Sequence, residues 1–131
     1  MINFESQYFQ KLAFESKQII QFGVSARHDF DIADHSDVPD VVFRFSYDAL
    51  IKVGIMLIAR KGYKVRSSAG HHVKIIEKLS QLLDDEDIMV WGDKMRQMRN
   101  HNLYDGGCFV GEKESRDCLG FVKAVFKKAG V

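Results

Sequence analysis

Apolar residues recur at intervals of three and four along most of this chain, which is the spacing of amphipathic α-helices. One clear stripe consists of Val73, Ile76, Leu79 and Leu83. Strict alternation of apolar and polar residues, the pattern of a half-buried strand, does not extend over a useful length. Only one proline, Pro39, interrupts the pattern. The sequence therefore predicts an all-α fold, a compact bundle of four to five helices.

The periodicity and the residues that start and stop helices predict where these helices lie. The approximate spans are Phe4–Phe22, Asp40–Lys61, His71–Leu83, Asp87–Leu103 and Glu112–Lys128. Asn3 and Ser68 are the predicted caps of the first and third helices, and Gly23 is the predicted end of the first. The segment Arg27–His35 is compatible with a short separate helix or with a helical extension.

Two of the predicted helices have informative faces. The second is apolar on two faces, which predicts a central position in the bundle or a part in a dimer interface. The fourth carries a buried stripe, so that Arg96, Arg99 and Asn100 turn away from it. That stripe consists of Ile88, Trp91, Met95 and Met98.

The composition is that of an ordinary globular protein, with 131 residues, 46% apolar and 28% charged. We expect one domain that spans residues 1–131. The longest apolar stretch, Ala49–Ala59, is much shorter than the roughly 20 residues that cross a bilayer, so no membrane association is predicted. The sequence shows no secretory signal, and its cysteines, Cys108 and Cys118, suggest no disulfide framework; both observations predict a cytoplasmic location.

The net charge of +1 conceals local asymmetry. Five aspartates fall between Asp29 and Asp40, and the segment from His28 to His35 predicts a solvated acidic face. The stretch from Arg60 to Lys74 carries basic residues and no acid. Attraction for an anion is therefore expected at a local patch and not from the field of the whole molecule.

The segment from Arg96 to Asp105 is the densest group of chemically useful residues. Arginine presents a planar fork that matches phosphate oxygens, and histidine can both give and take a proton near neutral pH. Arg96 and His101 are therefore a candidate phosphate clamp and acid–base pair. Five helical positions correspond to about 140° of rotation, so the two would converge only at a helix end or across a two-fold axis. Alternatively, the cluster caps its own helix and pairs Arg96 or Arg99 with Asp93, with Asp105 or with a residue across a dimer.

The basic loop that precedes the third predicted helix is a second candidate. Free N–H groups at a helix start, with Arg66, His71 and His72 nearby, predict a phosphate-binding or substrate-binding loop. The alternative is that Ser68 caps the helix and the two histidines pack against neighbours. Neither the histidines nor the cysteines show the spacing of a metal site, and the sequence has no glycine-rich phosphate loop. No metal and no cofactor are predicted.

Arg96-x4-His101 resembles the Arg-x(4 to 6)-His motif of the HEPN superfamily. The likeness covers most of the chain, through Phe45-Ser-Tyr-Asp-Ala-Leu50, Arg60-Lys-Gly-Tyr63, Gly70-His-His72 and Arg99-Asn-x3-Tyr-Asp105. The resemblance implies a small helical bundle that dimerises, and for many members a metal-independent endoribonuclease. It also implies RNA as a substrate, and raises an antitoxin or another protein as a partner.

The chain can be aligned with the family motif in two registers, one with Arg96 and one with Arg99 as the motif arginine. Active members usually place Asn or Asp after the motif arginine, which fits Arg99-Asn100 better than Arg96-Gln97. In that register Tyr104 stands where the family has its histidine. The candidate catalytic residues are Arg96, Arg99, Asn100, His101 and Tyr104, and the candidate substrate-binding residues are Arg66, His71, His72 and Asp105. The alternative is a catalytically inactive interaction module that binds a protein or a nucleotide.

Overall fold

The computed structural model describes residues 1–104 and 110–131, with side chains described for all of these except 102–104. Five α-helices and two short β-strands are found in this part of the chain. In chain order they are β1 (Phe9–Lys11), α1 (Ser16–His35), α2 (Pro39–Arg60), β2 (Tyr63–Val65), α3 (His71–Leu82), α4 (Glu86–Tyr104) and α5 (Glu112–Ala129). The prediction of an all-α bundle is confirmed.

Helix α2 lies at the centre of the bundle. It packs against α1, α3, α4 and α5, and 13 of its residues are buried. The apolar side chains of all five helices join one hydrophobic cluster around it. The two apolar faces that the sequence shows for this helix are therefore explained by packing on several sides. No helix in the described part of the chain is long and apolar enough to cross a bilayer.

The first predicted helix, Phe4–Phe22, is wrong over its first half. Residues 9–11 form β1, which pairs antiparallel with β2 so that Phe9 lies opposite Val65. Phe4 stacks on Tyr63 with ring centroids 4.3 Å apart, and Phe9 is buried in the core. These contacts with distant residues stabilise the segment more than one amphipathic helical turn would. The predicted cap Asn3 therefore caps no helix.

Helix α1 begins at Ser16 and continues through Gly23, so the predicted break at this glycine is wrong. A Cβ atom at Gly23 would lie 3.1 Å from Met56 Sδ, which shows that the glycine allows α1 to approach α2. Residues 27–35 form the second half of α1, as the helical extension predicted. Asp29 is buried and pairs with Lys52 at 2.8 Å, so it does not belong to a solvated acidic face.

Helix α3 is held between α2 and α4 by two close contacts. A Cβ atom at Gly54 of α2 would lie 2.5 Å from Ile75 Cγ2, and one at Gly92 of α4 would lie 2.6 Å from Ile76 Cγ2. Both isoleucines are buried. Any larger residue at either glycine would overlap a β-branched side chain that has little freedom to move.

We expect Gly54→Ala to lower the free energy of unfolding by roughly 1–3 kcal/mol, because it overpacks the contact with Ile75. Gly120→Ala is the matched control, since it lies within α5 and its Cβ would meet no atom within 4 Å. That control should be neutral or more stable by roughly 0.5–1 kcal/mol, from the helix propensity of alanine. Urea unfolding of both variants measures the difference. Equal stabilities would contradict the close contact.

A buried ion cluster attaches the N-terminal segment to α3. Lys78 is 2% exposed, and its Nζ lies 2.7 Å from Glu5 Oε1 and 3.0 Å from Glu77 Oε1. Lys74 Nζ lies 2.6 Å from the other oxygen of Glu5. The ammonium groups of Lys74 and Lys78 lower the pKa of Glu5 to about 2. A buried ammonium needs such partners, so this cluster fixes where the N-terminal segment lies.

We expect Glu5→Gln to destabilise the protein by about 1–3 kcal/mol, because the buried ammonium of Lys78 loses a charged acceptor. Since the pKa of Glu5 falls from 4.5 to about 2 on folding, its stabilisation is complete above pH 4.5 and is lost as the pH falls towards 2. The difference between wild type and variant should therefore shrink over that interval in chemical unfolding. Asp117→Asn, which removes an exposed pair with Lys113, should have a negligible effect. A difference that does not change with pH would rule out the ion cluster as its source.

Candidate functional site

A groove of about 450 Å³ lies where the start of α3 meets the last turns of α4. It is lined by residues 67–73 together with Arg96, Arg99 and Asn100. The two candidate regions, which are about 25 residues apart in the sequence, therefore form one site. The groove is open to solvent. It is lined by both arginines, Arg96 and Arg99, that are candidates for the motif arginine.

The arginines face α3 because of their spacing along α4. Gly92, Arg96 and Arg99 occupy positions i, i+4 and i+7, which share one helical face. Gly92 is the residue against which Ile76 of α3 packs. The same face is therefore apolar and closely packed at one end and carries two guanidinium groups at the other.

The two arginines have different surroundings. Arg96 Nε donates a hydrogen bond to Asp93 Oδ1 at 2.9 Å, and its side chain is 25% exposed. This pair is one that the capping alternative predicted. The Arg99 guanidinium lies over the Tyr47 ring, 5.8 Å from its centroid. Burial raises the pKa of the neighbouring Asp48, and the positive charge of Arg99 opposes that rise.

The N-terminus of α3 begins at Gly70, which has a φ of 77° and contributes no side-chain cap. The prediction that Ser68 caps this helix through its hydroxyl is wrong, because its buried Oγ has no hydrogen-bond partner among the described residues. The Ser68 carbonyl instead accepts bonds from His71 N at 3.1 Å and His71 Nδ1 at 2.8 Å. In the described part of the chain, the N–H groups of His72 and Val73 have no backbone acceptor. Together with the helix dipole, they favour an anion in the groove.

His72 is tied to the core by Tyr47. The Tyr47 hydroxyl lies 2.9 Å from His72 Nδ1, and Tyr47 is fully buried. Burial lowers the pKa of His72 to about 4, and the charges of His71, Arg99 and Arg96 add to this effect. Burial also raises the pKa of Tyr47 above its usual value. At neutral pH both groups are therefore uncharged, and Arg96 and Arg99 supply positive charge to the groove.

Four predicted site residues lie elsewhere or cannot be placed. His101 is exposed at the last turn of α4 and does not line the groove. Arg66 Nε donates to the Ser6 carbonyl at 3.0 Å, so this side chain holds the N-terminal segment. The side chain of Tyr104 and the whole of Asp105 are outside the described residues.

One residue of the site was not predicted as functional. Tyr47 belongs to the second predicted helix, which is apolar on two faces, and it is fully buried. Its partner His72 lies 25 positions later, so no local spacing connects them. A tyrosine on a buried helix face requires a hydrogen-bond partner for its hydroxyl. The sequence indicates that such a partner exists but does not identify which residue it is.

The described residues contain no group of three His, Cys, Asp or Glu side chains arranged to hold a metal ion. Cys118 is buried, which raises the pKa of its thiol to about 11 and leaves it unreactive at neutral pH. Cys108 lies outside the described residues.

Comparison of the chain with protein-family models, curated proteins and solved structures finds no match. The likeness to the HEPN superfamily therefore depends on the sequence motifs alone. Since one helical fold can carry many activities, function has to be inferred from the groove itself.

We expect NMR titration to show that His72 stays neutral down to about pH 4. Its pKa is 6.5 when unperturbed and about 4 in the folded chain, so the unfolded state takes up the proton first as the pH falls. The free energy of unfolding should therefore decrease between pH 6.5 and 4, and His72→Asn should lack this part of the decrease. Asparagine can still accept from the Tyr47 hydroxyl, which keeps the variant comparable. A His72 resonance with a titration midpoint near 6.5 would contradict the burial of this imidazole.

Proposed function

We propose that this protein is a metal-independent endoribonuclease of the HEPN type that binds RNA in the groove between α3 and α4. The observation that carries the proposal is the position of Arg96, Arg99 and Asn100 opposite the N-terminus of α3. Two guanidinium groups and the free N–H groups at the start of a helix suit a phosphate. Each of these groups can donate a charge-assisted hydrogen bond to a phosphate oxygen. The imidazoles of His71 and His72, which line the same groove, can transfer protons.

The proposed reaction is attack of a ribose 2′-hydroxyl on the adjacent phosphodiester. Arg99 stabilises the negative charge that develops on the phosphate oxygens, and Asn100 orients the phosphate. DNA lacks the 2′-hydroxyl, so the reaction would be specific for RNA. His101 is the proton-transfer residue that the sequence motif suggests, and in one chain it lies just outside the groove.

The proposal includes a homodimer and a cytoplasmic protein, with an antitoxin or another protein as a possible partner, as the family resemblance implies. A second copy would be the simplest way to bring another His101 towards each groove. Val90, on α4, is 69% exposed and offers apolar surface for such a contact. Sedimentation of wild type and Val90→Asp measures this part of the proposal separately from RNA cleavage.

A non-catalytic binding module is the second candidate. The observation that favours it is the exposure of His101 outside the groove, together with the pairing of Arg96 with Asp93. Such a module would use Arg99 and the α3 N-terminus to hold a phosphate or an acidic peptide without cleaving it. RNA that binds in an arginine-dependent way and stays intact would favour this module over the nuclease.

We expect Arg99→Ala to weaken binding of single-stranded RNA by roughly 10-fold to 100-fold, since hydrogen bonds to a charged group contribute about 1.5–3 kcal/mol. The slope of log affinity against log salt should also fall by about 1, because one phosphate contact is lost. Fluorescence anisotropy with a labelled oligonucleotide measures both quantities. Cleavage should decrease in parallel.

Arg27→Ala is the matched control, because this exposed arginine pairs with Asp31 on α1, away from the groove. It should leave affinity and salt dependence unchanged. Arg99→Lys tests the planar fork, since it keeps the charge and loses the bidentate geometry. If Arg99→Ala and Arg27→Ala bind RNA equally well, the groove is not the RNA site.

A further inference from the structure

The hydrogen bond of His71 determines which of its ring nitrogens carries the proton. Its Nδ1 lies 2.8 Å from the Ser68 carbonyl oxygen. A carbonyl oxygen only accepts hydrogen bonds, so Nδ1 must carry the hydrogen and donate it. In the neutral imidazole, Nε2 of His71 therefore has a lone pair that can accept a proton.

His72 has the opposite tautomer. Its Nδ1 lies 2.9 Å from the hydroxyl of Tyr47, which is fully buried. A buried hydroxyl needs an acceptor for its proton, and among the described residues His72 Nδ1 is the acceptor within reach. Nδ1 of His72 therefore accepts, and its neutral ring carries the hydrogen on Nε2.

The two histidines are close to each other and to the arginines. Their ring centroids are 4.5 Å apart with an interplanar angle of 68°, and both residues line the groove with Arg96 and Arg99. The groove thus contains one imidazole that can accept a proton and one that can donate a hydrogen bond without carrying charge. Each tautomer is set by a contact on the side of the ring away from Nε2.

We propose that His71 is the general base of RNA cleavage in this groove and that His72 is a neutral hydrogen-bond donor to the scissile phosphate. The assignment rests on the proposed endoribonuclease function and places proton transfer on α3, away from His101. No comparison and no sequence motif assigns these roles to the two residues.

Nε2 of His71 takes the proton of the 2′-hydroxyl while the O2′–P bond forms. The P–O5′ bond breaks, its electron pair goes to O5′, and this oxygen takes a proton from water. The products are a 2′,3′-cyclic phosphate and a 5′-hydroxyl end, and the imidazolium of His71 returns its proton to solvent. Nε2–H of His72 donates to a non-bridging oxygen, where negative charge increases in the transition state.

The low pKa of His72, about 4, supports its part as a neutral donor at neutral pH. A protonated His72 would add a third positive charge beside Arg96 and Arg99, which burial and charge repulsion disfavour. The Tyr47 hydroxyl positions the ring through Nδ1, so Tyr47 is a positioning residue.

The tautomers are measured directly by long-range nitrogen–proton NMR of the histidine rings at pH 7. We expect a protonated Nδ1 for His71 and a protonated Nε2 for His72. This experiment needs neither RNA nor activity, so its result is independent of the proposed function. A His71 ring protonated on Nε2, or a His72 ring protonated on Nδ1, would overturn the assignment.

The catalytic part is tested with His71→Asn. Asparagine places an amide N–H near the position of Nδ1, so it can keep the bond to the Ser68 carbonyl, but it offers no basic nitrogen. We expect kcat for RNA cleavage to fall about 100-fold or more, as is usual for loss of a general base. RNA affinity should stay within about twofold of wild type, because phosphate binding depends on the arginines.

His35→Asn is the matched control. His35 Nδ1 donates to the Asp31 carbonyl at 2.8 Å, so the same type of bond is exchanged at an exposed position on α1. This variant should cleave RNA at the wild-type rate. Added imidazole should restore part of the activity of His71→Ala, which a purely structural role would not allow.

The outcomes separate the two proposals. Wild-type protein that leaves all RNAs intact would overturn the endoribonuclease function and this assignment with it. Wild-type protein that cleaves, with His71→Asn equally active and His101→Asn inactive, would overturn only the assignment and return proton transfer to His101. Loss of activity in His71→Asn together with loss of RNA affinity would also overturn it, since His71 would then act in binding.

Discussion

The site depends on the close packing of α3 between α2 and α4. Gly54 and Gly92 leave the space that Ile75 and Ile76 occupy, and a single methyl group at either glycine would overlap them. The histidines at positions 71 and 72 lie one helical turn before these isoleucines, so the same contacts set where the imidazoles stand. Because Gly92 shares its face with Arg96 and Arg99, the packing also aims the arginines at the start of α3. A core constraint therefore positions a surface groove.

Burial explains why the groove can combine two arginines with two histidines. A charged His72 would be desolvated beside two guanidinium groups, and its low pKa, about 4, expresses that cost. The neutral ring of the half-buried His72 instead bonds to the buried Tyr47 hydroxyl, so both groups are satisfied without adding charge. The positive potential then comes from the arginines and from the helix N-terminus, and it is local, as the net charge of +1 requires.

The sequence predicts the later helices well and the N-terminal segment poorly, for a physical reason. The predicted starts and ends of α2 to α5 agree to within a few residues, because their apolar stripes face one continuous core. Residues 9–11 form a strand because Phe9 pairs with Val65 and Phe4 stacks on Tyr63, and three residues are too few to show alternation. The site was predicted as two separate regions, and their meeting depends on tertiary contacts. The bond between Tyr47 and His72, 25 residues apart, has no signature in local spacing.

Arg96 and Arg99 line the same groove, so the groove itself does not distinguish the two arginine registers. The histidines differ in position, since His101 is exposed outside the groove whereas the adjacent pair on α3 lines it. Adjacent histidines are a weak signal in sequence, because neighbours on a helix point about 100° apart. Here the Ser68 carbonyl and the Tyr47 hydroxyl give them opposite tautomers, which is a chemical distinction that residue identity alone does not contain. The chemistry available to each imidazole therefore depends on the hydrogen bond that its Nδ1 makes, as well as on the presence of the ring.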